Sequence, residues 1–358
     1  MPYLTGAQAV IATLRSHGVD TIFGIPGVHT LPLYDVMLGE PGLRHVLARH
    51  EQGAGFMADG YARASGKPGV VSTITGPGVT NVATPVASAY ADSVPLLVIS
   101  TSVSRASLGR PRGDLHELKN QFGVMEALAG WAREVSQVEE IPGALHDAFR
   151  VMRNGRSRGA YLQIPLDLLM VEAEMKMPEP APAAPPRPSQ EQIAALVRML
   201  SQSQRPLIVA GEGVTLAGAN EQLARLAELL GAPVLLGHKS HDVLPADHPL
   251  CVTPTNYGFP DEMRSLLAES DLTLVIGSKL GAGRTGNGRL PLPSPIVQID
   301  IDPAEIGRQY PVTLGIAADA RFALEALLEA LQDMPRSWAS RGEEVARLRD
   351  ALRTHAQR

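Results

Sequence analysis

Cysteine is almost missing from this chain. Cys251 is the single one in 358 residues, so no internal disulfide can form, and a chain that relies on packing alone fits a reducing cytoplasm. Cys251 itself reads as a small packed residue rather than a nucleophile. An excess of positive charge is missing too. The 32 Lys and Arg stand against 37 Asp and Glu, a net charge of −5, which leaves no basic footprint for a phosphate backbone and argues against a nucleic-acid partner. Long apolar runs are also absent. The runs at 94–99 and 272–276 have the length of strands and fall far short of the roughly 20 residues that cross a bilayer. The start, Met1-Pro2-Tyr3-Leu4-Thr5, is not a basic segment followed by an apolar one, so neither a membrane nor a secretory signal is expected. What is left, 44% hydrophobic and 19% charged, is the composition of an ordinary globular protein, long enough for two domains of roughly 100–200 residues each.

Proline marks the division. Pro178, Pro180, Pro182, Pro185, Pro186 and Pro188 alternate with small residues and favour extended polyproline geometry, which makes a linker. The expected boundaries are a first domain over 1–171, a linker over 172–189, a second domain over 190–335 and a helical tail over 336–358. In the first domain Thr5 and Gln8 resemble a capping box opening a helix that runs to Gly18. Strands are expected at 21–23, 70–75, 95–101 and 159–164, with helix-period stretches at 51–64 and 81–90. The second domain repeats the pattern, with strands at 206–210, 233–235, 272–276 and 296–301 and helices at 190–200, 216–230 and 319–331. The apolar runs lack strict alternation, as strands covered on both faces should. The fold class is therefore α/β, with two doubly wound, mainly parallel open sheets joined by the proline-rich linker. The charged stretch 337–358 suits a helix without a core of its own, a connector leading to a further domain.

The stretch richest in chemistry runs from Arg49-His50-Glu51-Gln52-Gly53-Ala54 to Gly60-Tyr61-Ala62-Arg63, a carboxylate at the start of a helix whose small residues allow close packing. Two glycine-bearing turns accompany it: Gly24-Ile25-Pro26-Gly27 after the first strand, and Thr75-Gly76-Pro77-Gly78-Val79-Thr80-Asn81 after a later one. In a parallel sheet the loops at the carboxyl ends of strands line one crevice, so the three segments are placed to meet.

Together with Ala91-Asp92-Ser93-Val94-Pro95, these segments resemble, in order and spacing, the pyrimidine-binding domain of the acetolactate synthase and 2-oxo-acid decarboxylase superfamily, whose cofactor is thiamine diphosphate. One Gly-Pro-Gly turn is common punctuation; five matches in series are specific. The second domain is similar to the family's central domain through Pro206-Leu207-Ile208-Val209-Ala210-Gly211, 270–277 and 297–303. Among the branches, Ile25-Pro26-Gly27-Val28-His29-Thr30 and Leu115-His116-Glu117 look most like decarboxylases of guanidino-substituted 2-oxo acids. Acetolactate synthase is the alternative activity.

The resemblance implies roles. Thiamine diphosphate becomes a nucleophile when the imino form of its own amino group removes the thiazolium proton, and a carboxyl beside the pyrimidine nitrogen promotes that form; Glu51 is expected to be that carboxyl, buried beside the ring. The cofactor supplies the electron sink, leaving orientation and electrostatics to the protein. Pro26, Gly27, Thr75, Gly76, Pro77 and Asn81 are implied as the ring's neighbours, because a flat ring needs close backbone approach and fixed turns. The blander alternative makes Glu51 a solvated helix carboxylate. His116 stands where the synthases carry the glutamine of Phe-Gln-Glu; it is expected either to bind the substrate carboxylate or move protons, or to be a surface histidine. His29 faces substrate or solvent, and His50 orients a loop.

The run Gly281-Ala282-Gly283-Arg284-Thr285-Gly286-Asn287-Gly288 raises FAD, which some relatives hold in this domain, but it is not a clean nucleotide fingerprint and reads rather as a remnant or a structural loop. The family also needs a third domain with Gly-Asp-Gly and a later asparagine to hold a divalent metal on the diphosphate. Magnesium wants such oxygen ligands, and Gly-Asp-Gly occurs nowhere in the 358 residues. No metal ligands are therefore expected in this chain. A homo-oligomer, or a hetero-oligomer with a diphosphate-domain chain, acting on a small 2-oxo acid is implied, and a non-catalytic regulatory paralogue is the remaining alternative.

Overall fold

A computed structural model of the chain describes residues 2–237, 239–253, 261–332, 334 and 338–356. By contact the chain divides into two units, Met1–Ala184 and Pro185–Arg358.

The first unit opens with β1 (Tyr3–Thr5), α1 (Gly6–Ser16), β2 (Thr21–Gly24), α2 (Leu31–Leu38), β3 (Arg44–Leu47), α3 (Glu51–Ser65) and β4 (Gly69–Thr73). It continues through α4 (Pro77–Asp92), β5 (Leu96–Ser102), α5 (Gln121–Glu126), β6 (Trp131–Glu134), α6 (Glu140–Asn154), β7 (Ala160–Pro165) and β8 (Glu172–Glu174). The main sheet has the order β3-β2-β4-β5-β7-β6 and every pairing in it is parallel. Strands β4, β5 and β7 are buried at every residue, which is what helices on both faces demand. Alternate side chains serve the two faces: Val70 and Leu97 join the core beneath α1 and α6, whereas Val71 and Val98 join the one beneath α3 and α4. On α6, Ile141, Leu145 and Phe149 lie one turn apart and fully buried, contributing about 1.5–3 kcal/mol each.

The capping box at the start of α1 is present, with Thr5 Oγ1 accepting from Gln8 N at 3.2 Å and Gln8 Oε1 from Thr5 N at 2.9 Å. Strands β3 and β6, at the two edges of the sheet, have no counterpart in the sequence reading. Both carry charged residues and are only partly buried, so neither writes an apolar run. Strand β8 pairs antiparallel with β1, so 172–174 belong to the first unit's structure.

The second unit contains α7 (Gln190–Gln202), β9 (Pro206–Ala210), α8 (Gly213–Leu216), α9 (Asn220–Leu230), β10 (Val234–Leu236), β11 (Cys251–Val252) and α10 (Asp261–Ala268). Then come β12 (Leu272–Ile276), α11 (Ala282–Thr285), β13 (Ile296–Asp300), β14 (Leu314–Ala317), α12 (Ala320–Leu331) and α13 (Gly342–Ala356). The sheet order is β11-β10-β9-β12-β13-β14, again parallel throughout. Strands β11 and β14 and helix α10 were not expected, and two of the expected elements turn out differently. The helix expected over 216–230 is broken at Gly218, whose φ of 63° a helix cannot hold. The tail is not without a core: Val345, Leu348 and Leu352 of α13 are buried with Val252, Leu266 and Leu267. Their spacing of three and four residues forms a helical stripe hidden among charges. Cys251 lies fully buried, and burial pushes its thiol pKa up, as befits a packing residue.

In the first unit His17 stacks on Phe149 with ring centroids 4.2 Å apart and has His146 at 5.4 Å, while Arg153 donates to its carbonyl at 2.9 Å. Burial first, then the charges of Arg153 and His146, hold its pKa down at about 4 against an ordinary 6.5. Because the folded value is the lower one, the unfolded chain takes up the proton first, so stability falls as pH drops through the unfolded value towards the folded one. Urea unfolding should therefore lose more stability between about pH 7 and pH 4 in the natural chain than in His17→Phe. Parallel pH profiles for the two chains would show that His17 carries no such linkage.

Candidate active site

The chain leaves β2 towards β3 on one side, and leaves β4 towards β5 on the other. The loops after β2 and β4 therefore diverge, and a crevice forms between them at the carboxyl ends of the strands. The segment 24–30, the segment 74–78 and the start of α3 border it.

Glu51 is the first residue of α3, where the helix dipole favours a carboxylate. His50 caps the same helix, its Nδ1 accepting from Gln52 N at 3.1 Å, so the histidine of the motif aims the helix. Asn81, one turn into α4, donates from Nδ2 to Glu51 Oε2 at 2.9 Å. The carboxylate is half-buried rather than fully enclosed. A Cβ on Gly78 would lie 2.4 Å from Thr73 Oγ1 and 3.4 Å from Glu51 Oε1, so a side chain there would clash with Thr73 and touch the carboxylate. Behind it sits Tyr34, whose hydroxyl is 3.2 Å from His45 Nε2; burial foremost, with the nearby charge of Glu51 adding, pushes its phenol pKa up.

The two turns touch. A Cβ on Gly27 would come within 2.5 Å of Ile74 Cδ1, and Thr30 Oγ1 ties the turn by accepting from Gly27 N at 3.0 Å. Pro26 and Pro77 are exposed on the rims, and Pro77 is the first residue of α4, where its missing N–H costs nothing. Gly76 adopts φ 70° and ψ −110°, and its N–H donates to Gln121 Oε1 at 2.7 Å. Thr75 donates to Thr101 Oγ1 from both its backbone nitrogen, at 3.1 Å, and its hydroxyl, at 3.0 Å.

His116 joins this wall from a separate loop. Its carbonyl oxygen would lie 2.1 Å from a Cβ on Gly76, so the loop rests directly on the turn. The loop is folded back by Glu117, whose Oε2 accepts from the backbone nitrogens of Arg112, Gly113 and Asp114 at 3.1, 2.8 and 3.0 Å. His116, at φ 62°, places its ring 6.0 Å from that of His29, edge to face. His29 Nδ1 in turn sits 2.9 Å from Thr75 Oγ1. Burial, and then the proximity of His116, lower the pKa of His29, with Asp114 opposing. Glu51, Asn81, Gly27, Thr75, Gly76, Pro77 and both histidines thus belong to one crevice. It can hold a flat ring against backbone, offer a carboxyl held by an amide, and move a proton at two imidazoles.

Two family models match the chain: the thiamine pyrophosphate enzyme N-terminal TPP-binding domain over residues 4–124 and the thiamine pyrophosphate enzyme central domain over 193–327. The chain carries the N-terminal and central domains of a thiamine pyrophosphate enzyme. It is 43% identical over 358 residues to the probable 2-ketoarginine decarboxylase AruI of Pseudomonas aeruginosa, covering 98% of this chain and 62% of that one. It is 35% identical to a probable acetolactate synthase large subunit of Methanocaldococcus jannaschii, covering 92% and 56%, and 36% identical to the glyoxylate carboligase of Escherichia coli O157:H7, covering 94% and 57%. The chain therefore spans less than two thirds of the length of these relatives.

The central domain has its own switch point, between β9 and β12. The loops there are packed on each other: a Cβ on Gly211 would lie 2.2 Å from Gly277 O, and one on Gly277 2.8 Å from Gly213 C. Those glycines are accounted for by backbone packing. The 281–288 run contains the four-residue α11 and not the strand, turn and long helix of a dinucleotide fingerprint. The side chain of Arg284 lies outside the described residues. No described helix is long and apolar enough to cross a membrane.

Sequence reasoning missed Thr101, Gln121, Gln163 and Tyr34. Gln121 Nε2 donates to Thr101 O and to Gln163 Oε1, both at 2.8 Å, so a buried amide ties Gly76 to two strands. One signal was available: Ser100-Thr101-Ser102 closes an apolar strand with three hydroxyls, which a buried strand carries at a cost unless they are bonded. Substituting Gly76→Ala should force its Cβ into the carbonyl of His116 and strain a positive φ, with a loss of about 1–3 kcal/mol. Urea unfolding checks the loss, and faster tryptic cleavage after Arg112 should report the lifted loop.

Proposed function

We propose that this chain supplies the aminopyrimidine half of the active site of a thiamine-diphosphate-dependent 2-oxo-acid decarboxylase, and that a separate diphosphate- and magnesium-binding domain completes it. One observation carries the reading: Glu51, held by Asn81, stands beside two turns that touch through Gly27 and Ile74. Turns fixed against their neighbours beside a held carboxyl suit a planar ring, which needs walls that do not move. The bound cofactor supplies the nucleophilic carbon and the electron sink.

The remaining work falls to the protein. Glu51 would hold the proton that the ring nitrogen exchanges, and Asn81 keeps its carboxylate aimed. Pro26 and Pro77 fix the turns around the ring, and Thr75 holds the second turn down on β5. His116, on the loop resting on Gly76, meets the substrate's reacting end and handles its carboxylate or proton. Decarboxylation is redox-neutral, so the reaction asks nothing of a flavin in the central domain.

A guanidino-substituted 2-oxo acid is the substrate class that fits best. Supporting it are the identity of 43% to a protein named as a probable 2-ketoarginine decarboxylase and the presence of Leu115-His116-Glu117 in place of the synthases' Phe-Gln-Glu. The partner domain is supported by apolar side chains left in water on the segments that bear the site: Val28, Leu31, Leu47, Phe56 and Leu115 are 58%, 54%, 67%, 44% and 57% exposed. Surfaces of that kind mark protein contacts, here in a homo-oligomer or with a diphosphate-domain chain. The Gly-Asp-Gly segment and asparagine of that domain would ligate magnesium.

The test is reconstitution. The chain alone should release no CO2 from 2-ketoarginine and should bind thiamine diphosphate weakly, and both should rise on mixing with a diphosphate-domain protein. Glu51→Gln in the mixture should lower turnover by at least ~100-fold, the usual scale of a lost acid–base group, with the circular dichroism unchanged. Turnover by the chain alone would remove the separate domain from the reading, and full activity of Glu51→Gln would remove the acid.

A further inference from the structure

His29 is half-buried in the same crevice, and its surroundings constrain where its proton sits. Thr101 Oγ1 accepts twice from Thr75, from the backbone nitrogen at 3.1 Å and from the hydroxyl at 3.0 Å. The single hydroxyl proton of Thr75 is thereby committed, and its oxygen has only lone pairs left to offer. That oxygen lies 2.9 Å from His29 Nδ1, so the proton between them belongs to the imidazole. A neutral imidazole protonated on Nδ1 carries its free lone pair on Nε2. Nε2 is on the opposite edge of the ring and has no hydrogen-bond partner among the described residues.

We propose that His29 serves the site as a neutral proton acceptor, protonated on Nδ1 and presenting Nε2 to the substrate, and that Thr101 is the positioning residue that sets this tautomer. The proposal rests on the reading of the crevice as a substrate site. Both threonines are 1% exposed, so no bulk water competes for their hydroxyls. Their backbones are pinned as well, since Gln121 donates to Thr101 O at 2.8 Å and accepts from Gly76 N at 2.7 Å. His116, 6.0 Å away ring to ring, adds to burial in lowering the pKa of His29. An unprotonated Nε2 accepts from an O–H or N–H of the substrate and repels a carboxylate, so His29 selects a donor group. A proton delivered to Nε2 yields an imidazolium whose Nδ1–H still points at Thr75, and returning that proton restores the starting state.

Nitrogen-15 NMR of the full chain labelled on histidine reads the tautomer directly, with the His29 signals identified by their loss in His29→Gln. In the natural chain at neutral pH, Nδ1 should resonate as a protonated nitrogen and Nε2 as an unprotonated one. Thr101→Ser keeps the acceptor and should leave that pattern intact. Thr101→Val frees the Thr75 hydroxyl to donate to Nδ1 and should move the ring proton to Nε2. A natural chain protonated on Nε2, or a folded Thr101→Val chain with the natural pattern, overturns the proposal. Should Thr101→Val not fold, the natural and Thr101→Ser spectra still decide it. None of these readouts uses turnover, so they stand or fall apart from the Glu51→Gln result that judges the catalytic reading.

Discussion

Three segments converge on the backbone of Gly76, and the closeness of their approach is possible because that residue has no Cβ. The His116 carbonyl sits where the Cβ would be. Gln121 holds the Gly76 N–H from beneath, and Thr75, the preceding residue, is bonded into β5 through Thr101. A turn clamped on three sides has little freedom left. Everything attached to it inherits that rigidity: Pro77 and the start of α4, hence Asn81, hence the carboxylate of Glu51 that Asn81 holds. On the other side the clamp fixes the ring of His29 through Thr75. The acid and the histidine pair are thus referenced to the same few backbone atoms, which is how a site holds its geometry before its ligands arrive.

Much of the fold was legible because its signals are local. Fully buried central strands write apolar runs, and β9 and β12 are found where the runs stand, 206–210 and 272–276. The capping box of α1 is a four-residue pattern, and the structure contains it. What escaped notice depends on neighbours distant in sequence. Strands β3 and β6 are strands because an edge of the sheet offers them a partner, and their own residues are mixed. The stripe of Val345, Leu348 and Leu352 was hidden because the helix also carries many charges, and composition weighs all faces alike.

The site divides in the same way. Glu51, Gly27, Gly76 and Asn81 lie in compact motifs whose order alone places them at strand ends, and the topology then brings them together. Thr101, Gln121 and Gln163 belong to no motif. Each is a polar residue paired with something 20 to 45 positions away, and only a register such as Thr101 opposite Ile164 brings the strand ends bearing such residues side by side. The two sheets make the contrast sharper. Both are parallel and both have a switch point, yet in the first the loops diverge around a crevice, while in the second Gly211, Gly213 and Gly277 close backbone against backbone. Glycines at the strand ends of both sheets let a neighbouring segment rest on them, Gly76 under the His116 carbonyl as much as Gly211 under that of Gly277, so their presence in the sequence does not tell which sheet bears the site.

The electrostatic character of the crevice follows from what surrounds each group. Glu51 keeps its carboxylate at a helix start with one amide donor and partial exposure. His29 lies close to a second imidazole, and burial followed by that neighbour lowers its pKa. Glu51 and His29 stand on two of the segments that border the crevice, each with its own surroundings. Low dielectric strengthens the interactions of such groups, and Val28, Phe56 and Leu115, on the segments that bear them, are exposed. Covering those apolar side chains would do two things at once: it would bury surface at about 25 cal/mol per Å², and it would exclude the water that screens the acid from the imidazoles.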